Sequence, residues 1–338
     1  MGMNEDPLAL LPEIFLLAGA LAVLLTGSFL PRERQWVART VAAAALLAAT
    51  VAAAAALWDA PRAVWDGTFT VDTATGVARL VASLACLLVV GLGVDELAGD
   101  PRESETYTLL LLGTAGATVL AGASDLLVLL AGFLLASIPV YGLVGLARTA
   151  GAAEAAMKTY LLGALLGITL MLGVTVLYGL AGETTYAALS ARLGTAPASA
   201  SLVGVAAVLG GLMFKAGAVP GHFWVPDAAQ GAGGAAAAFL TSVPKVGALV
   251  AVYRLVDALP ASVDARPLVG VLAVASMTLG NLAAFGQDDP RRLLGWSTVS
   301  QVGYLLVPVA VAGRTGLALP SLLLYLACYT VTNLTAFA

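Results

Sequence analysis

Residues 214–232 read FKAGAVPGHFWVPDAAQGA, and their placement decides the fold. An apolar run stops at Val219-Pro220-Gly221, passes through a polar stretch and resumes at Ala235. Pro220 and Pro226 remove backbone donors, and glycines at 217, 221, 231, 233 and 234 loosen the chain, so a continuous helix is not expected. Within a membrane, unwound backbone persists only where it is buried in protein or lines a cavity. Broken helices of this kind let transporters present backbone groups to an ion. His222, Asp227 and Gln230 then lie in or beside the break, with Lys215 just before it. The plainer alternative is a surface loop over 221–234, with His222, Trp224 and Asp227 anchored at the interface and Lys215 reaching toward it.

The rest of the chain argues for a membrane. Its 338 residues are 60% hydrophobic and only 11% charged, and the mean hydropathy is +0.95. A soluble domain carries about 25% charged residues, so a polytopic, all-α membrane protein is expected. Basic residues never cluster beyond two or three, which speaks against a nucleic-acid partner. Cys86 and Cys328 both fall in apolar runs and read as packing thiols. With His222 the single histidine, the usual ligands cannot assemble a haem or zinc site, and no metal is expected.

About 20 apolar residues cross the hydrocarbon core. Candidate spans are Leu8–Leu30, Trp36–Leu57, Gly76–Val94, Tyr107–Ala121, Leu126–Leu146, Ala156–Leu180, Leu202–Val219, Val243–Val256, Leu268–Phe285, Leu293–Ala312 and Leu317–Ala338. That makes about eleven transmembrane helices. The first run follows Asn4-Glu5-Asp6 rather than a basic flank, and it reads as a retained span, not a signal peptide. VWDGTFTVD at 64–72 alternates around Asp66-Gly67 and predicts a short surface hairpin. Thr184–Leu193 predicts an amphipathic turn or short helix. Arg32, Arg34, Arg39, Arg148, Arg291 and Arg292 fall on one side, and Arg62, Arg192, Arg266 and Arg314 on the other. The bias places the first set in the cytoplasm and the N-terminus outside.

Three lysines interrupt apolar stretches: Lys158, Lys215 and Lys245. A charge at the bilayer centre costs roughly 2.5–3.5 kcal/mol on insertion scales, so such residues are functional candidates by default. A desolvated lysine can also take up and release a proton near neutral pH. Three on successive helices suggest a proton path. For Lys158 the alternative is a structural pair with Glu154, four residues earlier. Lys245, read as the third residue of its span, has the alternative of a helix-start residue near headgroups.

FKAGAVPGHFWVPDAAQGA, PKVGAL at 244–249 and GNLAAFGQDDPRRLLGWSTVSQVGYLL at 280–306 together resemble the antiporter-like membrane subunits of respiratory complex I, the NADH–quinone oxidoreductase. LPEIFLL at 11–17, SIPVYGLVG at 137–145 and AEAAMKTYLLGA at 153–164 extend the resemblance over essentially the whole chain. It implies an antiporter-like fold with a discontinuous seventh helix carrying Lys215, Lys245 on the eighth and Lys158 on the sixth. These lysines would transfer protons, with His222, Asp227, Gln230 and Glu154 as further candidates along the path. It also implies three parts: N-terminal helices with the hairpin over 1–106, a first five-helix repeat over 107–257 and a partial second repeat over 258–338. No cofactor is expected in this chain; NAD, flavin, iron–sulfur clusters and quinone are expected in partner subunits. The other subunits of the oxidoreductase and the lipid of a bacterial inner membrane are the expected partners.

Two departures stand out. The family keeps a glutamate three residues before a serine and five before a proline on its fifth helix; Ser137 and Pro139 put that position at Leu134. The chain also stops at Phe337-Ala338 inside an apolar run, so a piece of a longer protein or a shortened paralogue is expected, with the second inverted repeat incomplete. Two other functions compete with proton translocation in the oxidoreductase. One is a subunit of a multisubunit cation/proton antiporter; the other is a structural membrane subunit that no longer pumps.

Overall fold

The computed structural model describes residues 6–338; the Asn4-Glu5 flank lies outside them. A 3-10 turn over Pro7–Leu10 leads into α1 (Leu11–Phe29), and α2 (Trp36–Ala56) returns antiparallel. A hairpin of β1 (Arg62–Val64) and β2 (Phe69–Val71) follows, pairing Val64 with Phe69 around a turn in which Trp65, Asp66 and Gly67 all have positive φ. Next come α3 (Thr73–Leu92), the single turn α4 (Val94–Leu97), α5 (Glu103–Gly122), α6 (Leu126–Gly145) and the long α7 (Ala150–Ala181). The short α8 (Tyr186–Leu193) precedes α9 (Ala198–Ala216), α10 (Trp224–Gly231) and α11 (Gly234–Asp257). The chain closes with α12 (Arg266–Ala284), α13 (Pro290–Val309) and α14 (Ala318–Phe337).

Helix starts follow local chemistry. Asp72, Asp125, Thr149 and Asp289 each accept a backbone N–H in the first turn of α3, α6, α7 and α13, which is the bond an N-cap side chain supplies to otherwise orphaned amides. Among the described residues nine helices are long and apolar enough to cross a membrane. The remaining two long helices, α5 and α13, have 20 residues each but carry more polar sequence, so of the eleven expected spans nine stand by apolarity. Trp36 and the 91% exposed Trp58 bracket α2, as aromatic residues do at the two interfaces of a bilayer.

The centre of the bundle is α11. Residues 235–253 are buried without interruption, the pattern of a helix apolar on every side. It packs among α3, α5, α6, α9, α10, α13 and α14. Close approach is possible because Gly247 has no side chain: a Cβ there would stand 2.0 Å from the Ala117 carbonyl oxygen on α5. Here the sequence reading is corrected. The helix begins at Gly234, nine residues before the expected Val243, and Pro244 lies inside it. Pro244 has no N–H to give the Leu240 carbonyl one turn back, and at the next residue the Tyr329 hydroxyl of α14 donates to the Thr241 carbonyl at 2.7 Å. A second correction concerns thiols: Cys86 is buried as expected, but Cys328 is exposed.

Two polar ends flank the apolar middle. At one end Asp6 pairs with Arg62 at 3.3 Å, the hairpin bridges to Ala123, and Asp125 bridges to Thr185 beside α8. Arg254, near the end of α11, donates to Asp72 at 2.5 Å, Thr75 at 2.8 Å and the Ala121 carbonyl at 2.7 Å. At the other end Glu96 accepts the N–H groups of Gly234 and Ala235, each at 2.9 Å, and Arg291 donates to the Ala232 carbonyl at 2.9 Å. The α9–α10 segment runs between these two ends.

Candidate functional site

Helical geometry stops at Gly217, which closes α9 with φ +79°, and resumes at Trp224. A helix that ends leaves its last carbonyls without intrahelical donors. Here Gly217 and Ala218 return their N–H groups to Met213, each at 2.9 Å. The Trp224 indole N–H donates to the Phe214 carbonyl at 3.0 Å, and the Lys245 amine donates to the Ala216 carbonyl at 2.8 Å. A cation at this end also meets the negative pole of the α9 dipole. Lys245 is fully buried midway along α11, which corrects its expected place near a helix start. Its Nζ also lies 5.8 Å from the centroid of the Trp224 ring. A Cβ on Gly217 would come within 2.6 Å of that amine.

Lys215 is 3% exposed and sits one residue before the end of α9. Its amine lies 5.8 Å from the centre of the Phe133 ring on α6, and among the described residues no carboxylate pairs with it. The carbonyl that Lys245 binds belongs to Ala216, the residue next to Lys215. Two titratable amines thus meet beside unwound backbone in the interior of the bundle. A proton arriving at either can be held by an aromatic face or a backbone carbonyl without a fixed counter-anion.

The other expected site residues separate from this pair. Asp227 on α10 pairs with Lys158 at 2.8 Å and with Arg292 of α13, so it does not fold back toward Lys215. Glu154 pairs with Lys158 at 2.7 Å, and Gln230 accepts from Arg292 at 3.2 Å. These groups line a polar cavity of about 440 Å³ together with Thr149 and Gly151 at the start of α7. Lys158 is 46% exposed there, doubly paired at the bundle's edge rather than enclosed like Lys215 and Lys245. His222 is buried against Phe223 and Trp296, with ring centroids 4.1 and 5.6 Å away, and its Nδ1 makes no hydrogen bond among the described residues.

The structure also places Leu134, the position matched to the family's glutamate. It is 42% exposed on α6, while its neighbour Phe133 is the side chain facing Lys215. Adjacent residues on a helix point about 100° apart, so the position matched to the family's acid turns outward. Sequence reasoning missed Phe133 and read Trp224 only as an interfacial anchor of the loop alternative. Arg292 was legible only as a charge for orientation, and its bond to Asp227 depends on how α10 meets α13.

Comparison with known proteins agrees with this architecture. Residues 123–338 match the family described as NADH:quinone oxidoreductase/Mrp antiporter, TM. NADH-quinone oxidoreductase subunit N of Mycobacterium sp. (strain JLS) is 58% identical over 332 residues, spanning 98% of this chain and 71% of that protein. NADH-quinone oxidoreductase subunit N 1 of Streptomyces griseus is 54% identical over 340 residues, spanning 100% of this chain and 72% of its own. The fold is similar to a chain of respiratory complex I from Thermus thermophilus, solved with bound aureothin, with a TM-score of 0.82 and 28% identity over 96% of this chain and 69% of that one. The buried lysines at a helix break, the sequence match and the shared fold agree: this chain belongs to the NADH:quinone oxidoreductase/Mrp antiporter transmembrane family.

Proposed function

We propose that this chain is subunit N of an NADH–quinone oxidoreductase and that it moves protons through Lys215 and Lys245 while the redox chemistry proceeds in partner subunits. The observation that carries the reading is the pair of buried amines at the α9–α10 break, one of them bonded to the freed Ala216 carbonyl. In this scheme Lys215 takes up a proton beside Phe133. Repulsion across the break then favours release from Lys245, so charge moves from one amine to the other along the bundle's interior. The cluster of Glu154, Lys158, Asp227, Gln230 and Arg292 forms the polar mouth through which water reaches this region, and His222 lies within the break itself. NAD, flavin, iron–sulfur clusters and quinone belong to the partner subunits, whose other membrane members flank this one.

The organisation that accompanies the reading has residues 1–106 as an N-terminal helical part, 107–257 as a first repeat and 258–338 as part of a second, with α9 and α10 as one discontinuous transmembrane helix. The hairpin end and the N-terminus face outside the bacterial inner membrane, following the arginine bias. With Cys86 and Cys328 replaced, a single cysteine at Asp59 is expected to react with an impermeant thiol reagent on intact cells, and one at Glu33 only after permeabilisation. The opposite pattern inverts the topology.

Lys215→Ala is expected to abolish proton transfer in the assembled oxidoreductase with assembly largely kept. Lys215→Arg is expected to fail as well, because a guanidinium does not release its proton at accessible pH. Normal proton transfer by the arginine variant rules out proton exchange at this position. A second reading, a packing subunit without proton transfer, draws on the lack of a carboxylate paired with Lys215 among the described residues; it requires the alanine variant to behave as the parent.

A further inference from the structure

The buried stripe of α12 comprises Val269, Ala273, Ser276 and Gly280, and Ser276 is its only polar member. A hydroxyl in such a stripe is costly to bury unless both its roles are used. Both are. Ser276 donates to the Leu272 carbonyl one turn back at 2.7 Å and accepts the Val219 N–H at 3.0 Å. Val219 offers the last amide of the unwound stretch before Pro220, which has none. Ser276 sits midway along α12, so the bond reaches the break in the middle of the bundle.

Two neighbouring helices therefore hold the unwound backbone. Lys245 on α11 grips the Ala216 carbonyl, and Ser276 on α12 grips the Val219 amide three residues later. Among the described residues the intervening Gly217 and Ala218 amides bond only within their own turn of α9, to Met213 and Phe214. Among the described residues Ser276 is the one partner of the Val219 amide, so it sets where that amide rests.

We propose that Ser276 is a positioning residue for proton transfer: by holding the Val219 amide it keeps the Ala216 carbonyl presented to the Lys245 amine. The inference rests on the reading of Lys215 and Lys245 as proton carriers. Lys245 alone is a mobile tether, because its four-carbon stem swings with whatever it carries. Ser276 is the fixed one, and it restores the break after each displacement of the amine.

The test uses Ser276→Ala and Ser276→Thr in the assembled oxidoreductase, in native membrane vesicles. It reads deuterium exchange over 217–223 and the ratio of protons moved to NADH oxidised. Ser276→Ala is expected to speed exchange over that segment and lower the ratio several-fold, with assembly on native gels unchanged. Ser276→Thr keeps the hydroxyl and is expected to retain parental exchange and ratio. Unchanged exchange in the alanine variant overturns the tether. Faster exchange with an unchanged ratio overturns the positioning role, and loss of assembly in both variants reduces Ser276 to packing. Lys215→Ala run alongside separates the two claims: if it moves protons normally, the lysine reading fails, while the exchange result still judges the Ser276 bond.

Discussion

At the scale of single residues, the site depends on a glycine as much as on its lysines. Gly217 adopts φ +79° and leaves room for the Lys245 amine, which a Cβ would approach to 2.6 Å, and for Val225, at 2.8 Å. An L-residue in the left-handed region costs roughly 1–2 kcal/mol. Gly217→Ala is therefore expected to lower the thermal stability of the solubilised protein and to reduce proton transfer, because the amine must leave the Ala216 carbonyl. Parental values in both assays would show that the amine does not rest there. The sequence marked Lys215, Lys245 and Gly217 as unusual. It could not mark Phe133 as the neighbour of Lys215, since the facing of a helix is settled by what packs on it.

At the scale of elements, α11 shows why a proline is a poor boundary signal in a buried helix. Local propensity ends a helix before Pro244. In the bundle, the Ala235–Ala238 run fills a tight space between neighbours, the Tyr329 hydroxyl serves the Thr241 carbonyl, and Glu96 caps the first turn from the α3–α5 connection. A cap of this kind contributes about 0.5–2 kcal/mol. Glu96→Ala is expected to lower the unfolding temperature and to speed deuterium exchange first at residues 234–237. Protection there equal to the parent's would mean that another group satisfies those amides. Gly233, whose Cβ would meet the Glu96 carboxylate at 2.3 Å, shows how closely the two segments are fitted.

At the scale of the whole molecule, the N-terminal helices are fastened by a buried ion pair. Arg79 of α3, fully buried, donates to both carboxylate oxygens of Glu13 on α1 at 2.9 and 2.7 Å and to the Ala9 carbonyl at 2.9 Å. Removing one partner of such a pair costs about 3–5 kcal/mol, whereas replacing both by apolar groups can be neutral. Arg79→Met is expected to cut the amount of assembled subunit sharply, and Glu13→Leu/Arg79→Met to recover most of it; quantified native gels decide. Hydropathy and turn chemistry determined the membrane, the order of the long helices and the position of the hairpin, because both are local properties. The break was legible too: Gly217, Pro220 and Gly221 fall together within 217–223, whereas the lone Pro244 is absorbed into α11. Only the tertiary structure decided that Lys158 pairs at an open edge while Lys215 and Lys245 meet inside, and that Asp227 is taken up by Lys158 and Arg292. Those outcomes turn on which helix faces which, and in a chain whose helices are apolar on nearly every side no sequence period records the facing.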